Sequence, residues 1–295
     1  IMIKNFFKLH PAFQINIIYF SFLAILVIIF HDKIPFWENF LIIFPSMALF
    51  QFFLCKQADN SYISFIKKIA FPVLSVLIAF DTVGVITPFI NNDIDLVLLE
   101  LDYKILGFYP YLYFDTIANP LLTELMQLSY CVYYILPFLI GFLLIKEKKW
   151  GEFYKVLFLI LLCYYISYTG YILFPALGPR YSILEMFQSD LKGLFLADYI
   201  RNFLNSLEGI KRDAFPSGHV GISLLILILI YKYNKKFSLL MFVPILMLIL
   251  STVYCRYHYF VDVLGGILLT IVTLVLGNLY YNFWLTKNEN SIYKR

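Results

Sequence analysis

The chain has 295 residues, 61% of them hydrophobic and only 14% charged, with a formal net charge of +4. An ordinary soluble domain carries about 25% charged residues, so this composition excludes a water-soluble globule and places most of the chain in lipid. It also excludes a nucleic-acid binder, which needs a clustered basic surface on a soluble domain.

Several apolar runs reach or approach the ~20 residues that a helix needs to cross a ~30 Å hydrocarbon layer. Eight spans are predicted, at about 12–30, 38–55, 69–88, 121–145, 154–175, 216–231, 237–256 and 258–284, the second and sixth being short. The runs are continuous and lack the alternation of a membrane β-barrel. The expected fold class is therefore all-α, a polytopic membrane helical bundle. The first span is too long for a removable signal peptide and lacks a small-residue cleavage site, so it is expected to serve as both address and anchor.

Eight spans divide the 23 lysines and arginines into 15 on one side, including Lys4, Lys146, Lys148, Lys149, Lys294 and Arg295, and 8 on the other. The 15 crowd into short segments, where the positive-inside bias is read. Both termini are expected in the cytoplasm, and the membrane is expected to be a bacterial inner or cytoplasmic one.

Two longer connections fall on the opposite side. Residues 89–120 mix Asp93, Asp95, Glu100, Asp102 and Asp115 with Ile94, Leu98, Leu101, Ile105 and Leu106 at roughly helical spacing, which predicts an interfacial helix lying on the membrane or capping the bundle. Residues 176–215 are long enough to lid or shape a site.

Three short stretches stand out: Leu177-Gly178-Pro179-Arg180, Phe215-Pro216-Ser217-Gly218-His219, and residues 251–262 with Arg256, His258 and Asp262. Counting spans puts all three on the non-cytoplasmic face, where one cavity can hold them. His258 and Asp262 are four residues apart, which on a helix places them on one face and lets the carboxylate accept the Nδ1 proton. Nε2 is then free to attack phosphorus, as a nucleophile held by an orienting acid. A histidine and an aspartate satisfying each other at an interface remain the alternative. Pro216 suits a first helical turn, Gly218 removes a side chain where a ligand oxygen could approach, and a helix start forms an anion site beside which His219 could protonate a leaving oxygen. Arg180 and Arg256 have the planar donors that match phosphoryl oxygens; snorkelling to headgroups explains either alone.

These segments resemble the three signature motifs of the type 2 phosphatidic acid phosphatase (PAP2) superfamily, over roughly residues 120–284. The resemblance implies a PAP2-type catalytic core at 120–284, preceded by N-terminal transmembrane helices and an outer interfacial segment at 1–119 and followed by a cytoplasmic tail at 285–295. It further implies that His258 becomes phosphorylated, Asp262 orients it, His219 is the general acid, Ser217 and Gly218 bind phosphate, and no metal or other cofactor is needed. Two departures stand out. Leu173 occupies the place of the first motif's usual lysine, with Pro179 before the arginine instead of after it. Thr252 stands where the third motif usually has arginine, and Arg256, one helical turn along the same face, is expected to reach the same phosphate. Both departures are similar to the branch with inositol phosphorylceramide and sphingomyelin synthases, while Gly218 is more like the phosphatases.

The expected function is a lipid phosphatase acting on a lipid phosphate or phospholipid through a phosphohistidine, with a lipid phosphotransferase as the alternative. An anion transporter using Asp81, or a metal site built from His219, His258 and Asp262, is a weaker reading. Cys55, Cys131, Cys163 and Cys255 read as small apolar fillers, with Cys255 close enough to the site for alkylation to block it. Lys211 and Arg212 read as solvated loop charges, or as a substitute for the missing lysine. His10 and His31 join no site.

Overall fold

A computed structural model describes residues 6–58, 60–207 and 212–292. Lys4, Lys211, Lys294 and Arg295 lie outside the described residues. The described residues fold into helices and connections, with no strand among them. In chain order they are α1 (Pro11–Ile29), α2 (Trp37–Lys56) and α3 (Ser61–Phe65), the last continuing through a π turn (Ile66–Ala70) into α4 (Phe71–Ile86). Two short outer helices follow, α5 (Asp95–Leu106) and α6 (Pro110–Thr116), then α7 (Pro120–Lys146), α8 (Trp150–Leu173) and α9 (Pro179–Ser182). The chain ends with α10 (Ala197–Leu207), α11 (Gly218–Tyr233), α12 (Lys235–Tyr254) and α13 (Phe260–Ile292).

Seven of these stretches are long and apolar enough to cross a membrane, the third running Ser61–Phe89. The sixth expected span, α11, is an apolar helix of 16 residues. At 1.5 Å per residue it is about 24 Å long, less than a ~30 Å hydrocarbon layer. The expected third span starts earlier than its hydropathy suggests, because the π turn carries Lys67 and Lys68 inside a helical run. Lys67 stays there by donating to the Gln57 carbonyl at 2.8 Å. The predicted single outer helix is two, separated at Gly107 in the left-handed conformation (φ 76°), which ends α5.

Local signals set the helix starts. Asn119 caps α7 by accepting from Leu122 N–H at 3.0 Å, with Pro120 next, and Asn234 caps α12 through Phe237 N–H at 3.0 Å. The fold is organised around α8. In its most apolar window 61% of residues are buried, against 22–44% in the other six long spans, so it is the helix with protein on most sides. One face packs through Val156, Leu159, Ile160 and Cys163 into a core shared with α7, α11, α12 and α13. The other packs through Leu161, Tyr165, Tyr168 and Ile172 against α1, α2 and α4. Buried polar side chains tie the second interface together: Asn16 donates to Gln51 at 2.9 Å and accepts from the Tyr165 hydroxyl at 2.7 Å.

Several side chains outside the motifs are now placed. Asp81 is exposed on the outer face of α4, not in the bundle interior where a transport residue would sit. Arg212 forms a two-pronged ion pair with Asp93, at 2.6 and 3.1 Å. His10 caps α1 among Tyr154, Tyr281 and Trp284, and burial lowers its imidazole to about 3.

Interhelical hydrogen bonds in membrane proteins contribute about 0.6 kcal/mol each and at most about 1.7. Asn16→Leu removes these two bonds and a longer one, 3.5 Å, to the Ser75 hydroxyl, and strands the Tyr165 hydroxyl, so it is expected to destabilise the protein by about 1–2 kcal/mol. Tyr165→Phe, which removes one, should cost about half that. Thermal unfolding of both variants in detergent checks the order.

Candidate active site

The three motif loops meet at one end of the bundle, joined by backbone hydrogen bonds. Ala214 N–H donates to the Ala176 carbonyl at 3.1 Å, linking the second loop to the first. Ser217 N–H donates to the Asp262 carbonyl at 3.0 Å, linking second to third, and Arg180 N–H donates to the Arg256 carbonyl at 2.9 Å, linking first to third. Gly178 is essential to that last junction. Its φ is 82°, and a Cβ there would collide with the Tyr257 carbonyl.

The third loop places the nucleophile candidate. α12 ends at Tyr254, and the Thr252 carbonyl accepts both Tyr257 N–H and His258 N–H at 3.0 Å, folding the chain back over the helix end. His258 is buried and its Nδ1 lies 2.8 Å from the Ala214 carbonyl. A carbonyl only accepts, so Nδ1 carries the proton and the Nε2 lone pair points the other way. Asp262 Oδ2 is 3.4 Å from the same Nδ1 but accepts its shorter hydrogen bond, 2.8 Å, from Tyr259 N–H. The expected pair thus forms across the start of α13 instead of along a helix, and Ala214 takes the proton assigned to the carboxylate. Asp262 is fully buried, and its Oδ1 has no hydrogen-bond partner among the described residues.

His219 sits in the first turn of α11, its ring 5.7 Å from that of His258. Tyr130 stacks against it at 4.4 Å, Tyr133 packs tilted at 4.1 Å, and Tyr134 meets it edge-on at 6.3 Å. The Tyr130 hydroxyl is 3.5 Å from its Nδ1, while Nε2 is buried without a partner among the described residues. A column of stacked groups continues outward: Tyr257 lies 4.4 Å from Tyr130, and the Arg180 guanidinium lies 4.5 Å from the Tyr257 ring. Arg180 also donates to Asn205 on α10 at 3.0 Å.

Three expected phosphate ligands have other engagements. Ser217 is fully buried and its Oγ caps α11 by accepting from Val220 N–H at 3.3 Å. At Gly218, the space a side chain would fill is taken by the Tyr171 and Ser167 hydroxyls, 2.6 and 3.0 Å from a Cβ position, so the glycine admits the close approach of α8. Arg256 does not continue the α12 face: it follows the helix end with φ 62°. Its Nη2 donates to Asp115 at 2.6 Å and to the Ser189 carbonyl and hydroxyl at 2.8 Å, while its plane covers the Phe187 ring. Arg256 therefore does not share a helical face with Thr252, because the helix ends at Tyr254, and its Nε is buried without a hydrogen-bond partner among the described residues. Among the described residues no three His, Cys, Asp or Glu side chains gather around a metal-sized point.

Four carboxylates that the motifs do not contain hold the site together. Asp95 on α5 accepts from Leu177 N–H, Gly178 N–H and the Tyr259 hydroxyl, each at 2.9 Å. Asp102, two turns further along the same face of α5, accepts from Phe260 N–H at 2.9 Å and Val261 N–H at 2.8 Å, capping α13 from another helix. Burial pushes its carboxyl above the ordinary range, opposed by those two N–H groups. Asp115 on α6 receives Arg256, Ser189 and Gln188 N–H. Burial raises its carboxyl, but these hydrogen bonds and the Arg256 charge more than reverse the effect and leave it below the usual value. Glu124 on α7 accepts from four successive backbone N–H groups, Leu194 to Ala197, at 2.8 to 3.2 Å, and so anchors the start of α10. The amphipathic spacing of residues 94–106 is the one sequence signal that pointed at any of them. α10 in turn covers the site, with Leu204 buried beside Tyr130, Tyr254 and Tyr257.

Cys255 is buried next to Arg256, and burial pushes its thiol up to about 12. The thiolate is the reacting form, so at pH 8 almost none is present. Maleimide at that pH is expected to leave Cys255 unmodified in the folded protein and to modify it after unfolding, read by mass spectrometry. Asp102→Ala leaves two N–H groups at the α13 start without an acceptor and should cost about 1–3 kcal/mol in unfolding stability, with Asp102→Asn losing less because one acceptor oxygen remains.

A family model described as the PAP2 superfamily matches residues 98–276. A PA-phosphatase related-family protein of Dictyostelium discoideum is 27% identical over 186 residues, a match that covers 56% of this chain and 34% of the relative. The chain thus matches about a third of that relative's length. No solved structure matches it. With more than half of its length matched by the family model, the chain belongs to the PAP2 superfamily.

Proposed function

We propose that this PAP2-superfamily protein is a membrane-embedded lipid phosphatase that works through a phosphohistidine on His258, with its site on the non-cytoplasmic face. The observation that carries this reading is the pair of imidazoles 5.7 Å apart, one with its Nδ1 proton given to the Ala214 carbonyl and the other with a buried, unpartnered Nε2.

In the first step Nε2 of His258 attacks phosphorus, forming an N–P bond as the P–O bond to the lipid alcohol breaks. His219 gives its Nε2 proton to the departing oxygen. The phosphorylated ring gains positive charge, which the buried Asp262 carboxylate beside Nδ1 stabilises while Ala214 keeps the ring from turning. Water then attacks the phosphohistidine, His219 takes up its proton, and inorganic phosphate and free His258 are produced. Arg180, at the mouth of the aromatic column, balances phosphoryl charge. Arg256 is assigned a positioning role, holding the loops around Asp115 and Ser189 and presenting its carbonyl to Arg180.

The lysines at 146, 148 and 149 and at 232, 235 and 236 lie in the turns after α7 and after α11, at the ends opposite to the motif loops. That distribution supports a cytoplasmic lysine-rich side and an outward site. The name of the Dictyostelium relative supports hydrolysis over transfer.

His258→Ala is expected to abolish turnover and any acid-labile phosphoenzyme. His219→Ala should slow turnover by about 10²–10⁴-fold for alkyl esters and much less for aryl esters, whose leaving groups need no proton. Purified protein is given phosphatidate with and without diacylglycerol, inositol and choline. Phosphate release that needs no added alcohol supports the phosphatase, and strict dependence on one alcohol would replace it with the phosphotransferase.

A further inference from the structure

Between α4 and α7 lies a cavity of about 440 Å³ that the chemistry of the histidine pair leaves unused. Its floor is α8, through the buried Val156 and Ile160. Its walls are Val73 and Leu77 on α4 and Phe138 and Phe142 on α7, all four exposed on the outside of the bundle. Each pair is one helical turn apart, so the walls run parallel to the helices and the gap between them is a slot open sideways.

Polar groups are confined to the two ends. At one end Tyr134 lines the slot, and the same ring lies 6.3 Å from the His219 ring, so the slot begins at the phosphoryl-transfer site. At the other end Lys68 lines it, its ammonium held 3.9 Å over the ring of Trp150. From Tyr134 to Ile145, the last α7 residue in the lining, the helix rises about 16 Å. An extended peptide would leave its N–H and C=O groups without partners along aliphatic walls, whereas a hydrocarbon chain needs none and could run straight from a phosphate held at the histidine pair past Tyr134. A polymethylene chain fits the aliphatic lining, and its phosphate end fits the end of the slot beside His219.

We propose that the slot holds one hydrocarbon tail of the phosphorylated lipid, which enters sideways from the bilayer, and that Lys68 with Trp150 closes its inner end and limits tail length. The proposal rests on reading the histidine pair as the phosphoryl-transfer centre. Lipid tails gain little by leaving other tails, so the slot acts by shape: it accepts a tail that fits and excludes one that clashes.

Gly141 gives the means to test this. It lines the slot about 10 Å below Tyr134, and a Cβ there would touch Phe153 at an ordinary 3.5 Å, so a larger side chain must project into the slot. Full-length protein in detergent is given hexyl, dodecyl and hexadecyl phosphate. A hexyl tail ends above Gly141. Gly141→Leu, and Leu77→Trp from the opposite wall, are expected to leave kcat/KM for hexyl phosphate within about twofold and to lower it roughly tenfold for hexadecyl phosphate, with Gly141→Ala close to wild type. Equal effects on both esters, or none on the long one in either plugged variant, would overturn the slot.

Binding is read separately with hexadecyl phosphate carrying a photoactivatable diazirine at its tail end. Labelling near Lys68 and Trp150 that excess hexadecyl phosphate suppresses supports the proposal; labelling that is spread over the outer surface or resists competition overturns it. If no ester releases phosphate yet the label sits at the inner end, the reaction reading falls and the tail slot stands.

Discussion

The site depends on one buried hydrogen bond, from His258 Nδ1 to the carbonyl of Ala214. It fixes the tautomer and the ring orientation together, and a neutral imidazole that could turn would present a proton where a lone pair is needed. The acceptor is backbone, so its position is only as firm as the loop that holds it. That loop is held by Ala214 N–H on Ala176 and Ser217 N–H on Asp262, and the loop carrying Ala176 is held by Arg180 N–H on Arg256. The three motif loops therefore close a ring in which each is the other's support. Main-chain geometry does the positioning, which is why the side-chain motifs are short.

Such a ring needs its own clamps, and these are acidic. Asp95, Asp102, Asp115 and Glu124 surround a site read as taking an anion, which would be unfavourable if their charge faced the ligand. Each is instead turned onto backbone N–H groups or Arg256, with charge-assisted hydrogen bonds. Their negative charge is absorbed by donors that helix starts and loops would otherwise leave unsatisfied. The same carboxylates thereby tie the outer helices α5 and α6, and the lid helix α10, to the bundle.

The helices and the shared end of the three motifs were readable from hydropathy and span counting, because lipid demands continuous apolar runs and each crossing reverses the side. What helical spacing could not give was how α12 stops. A four-residue interval places Arg256 on the Thr252 face only if the helix continues, and the left-handed Arg256 shows that it does not. The same assumption put His258 and Asp262 on one helix, whereas α13 starts between them at Phe260. Gly218 looked like a gap for a ligand because its neighbours on α8 are distant in sequence. The four clamping carboxylates were hidden for a related reason: most of their partners are main-chain N–H groups, up to 159 residues away, which leave no pattern in side-chain order.

The length of α11 connects chemistry to substrate. With about 24 Å to span a ~30 Å layer, a helix anchored at its lysine-bearing end starts below the opposite surface. His219 is in its first turn, so on the proposed reading the histidine pair would lie at the depth where a lipid's headgroup meets its tails. A water-soluble ester would have to pass α10, whose Leu204 is packed against Tyr257, whereas a lipid already in the bilayer meets the open side between α4 and α7. α10 exposes Tyr199 and Phe203, and the segment before it, held by Glu124, exposes Phe195. Aromatic residues at that level suit the membrane interface. A site covered by α10, with its flank open between α4 and α7, is the geometry the proposed lipid substrate requires, because such a substrate would come from the bilayer and not from the water above it.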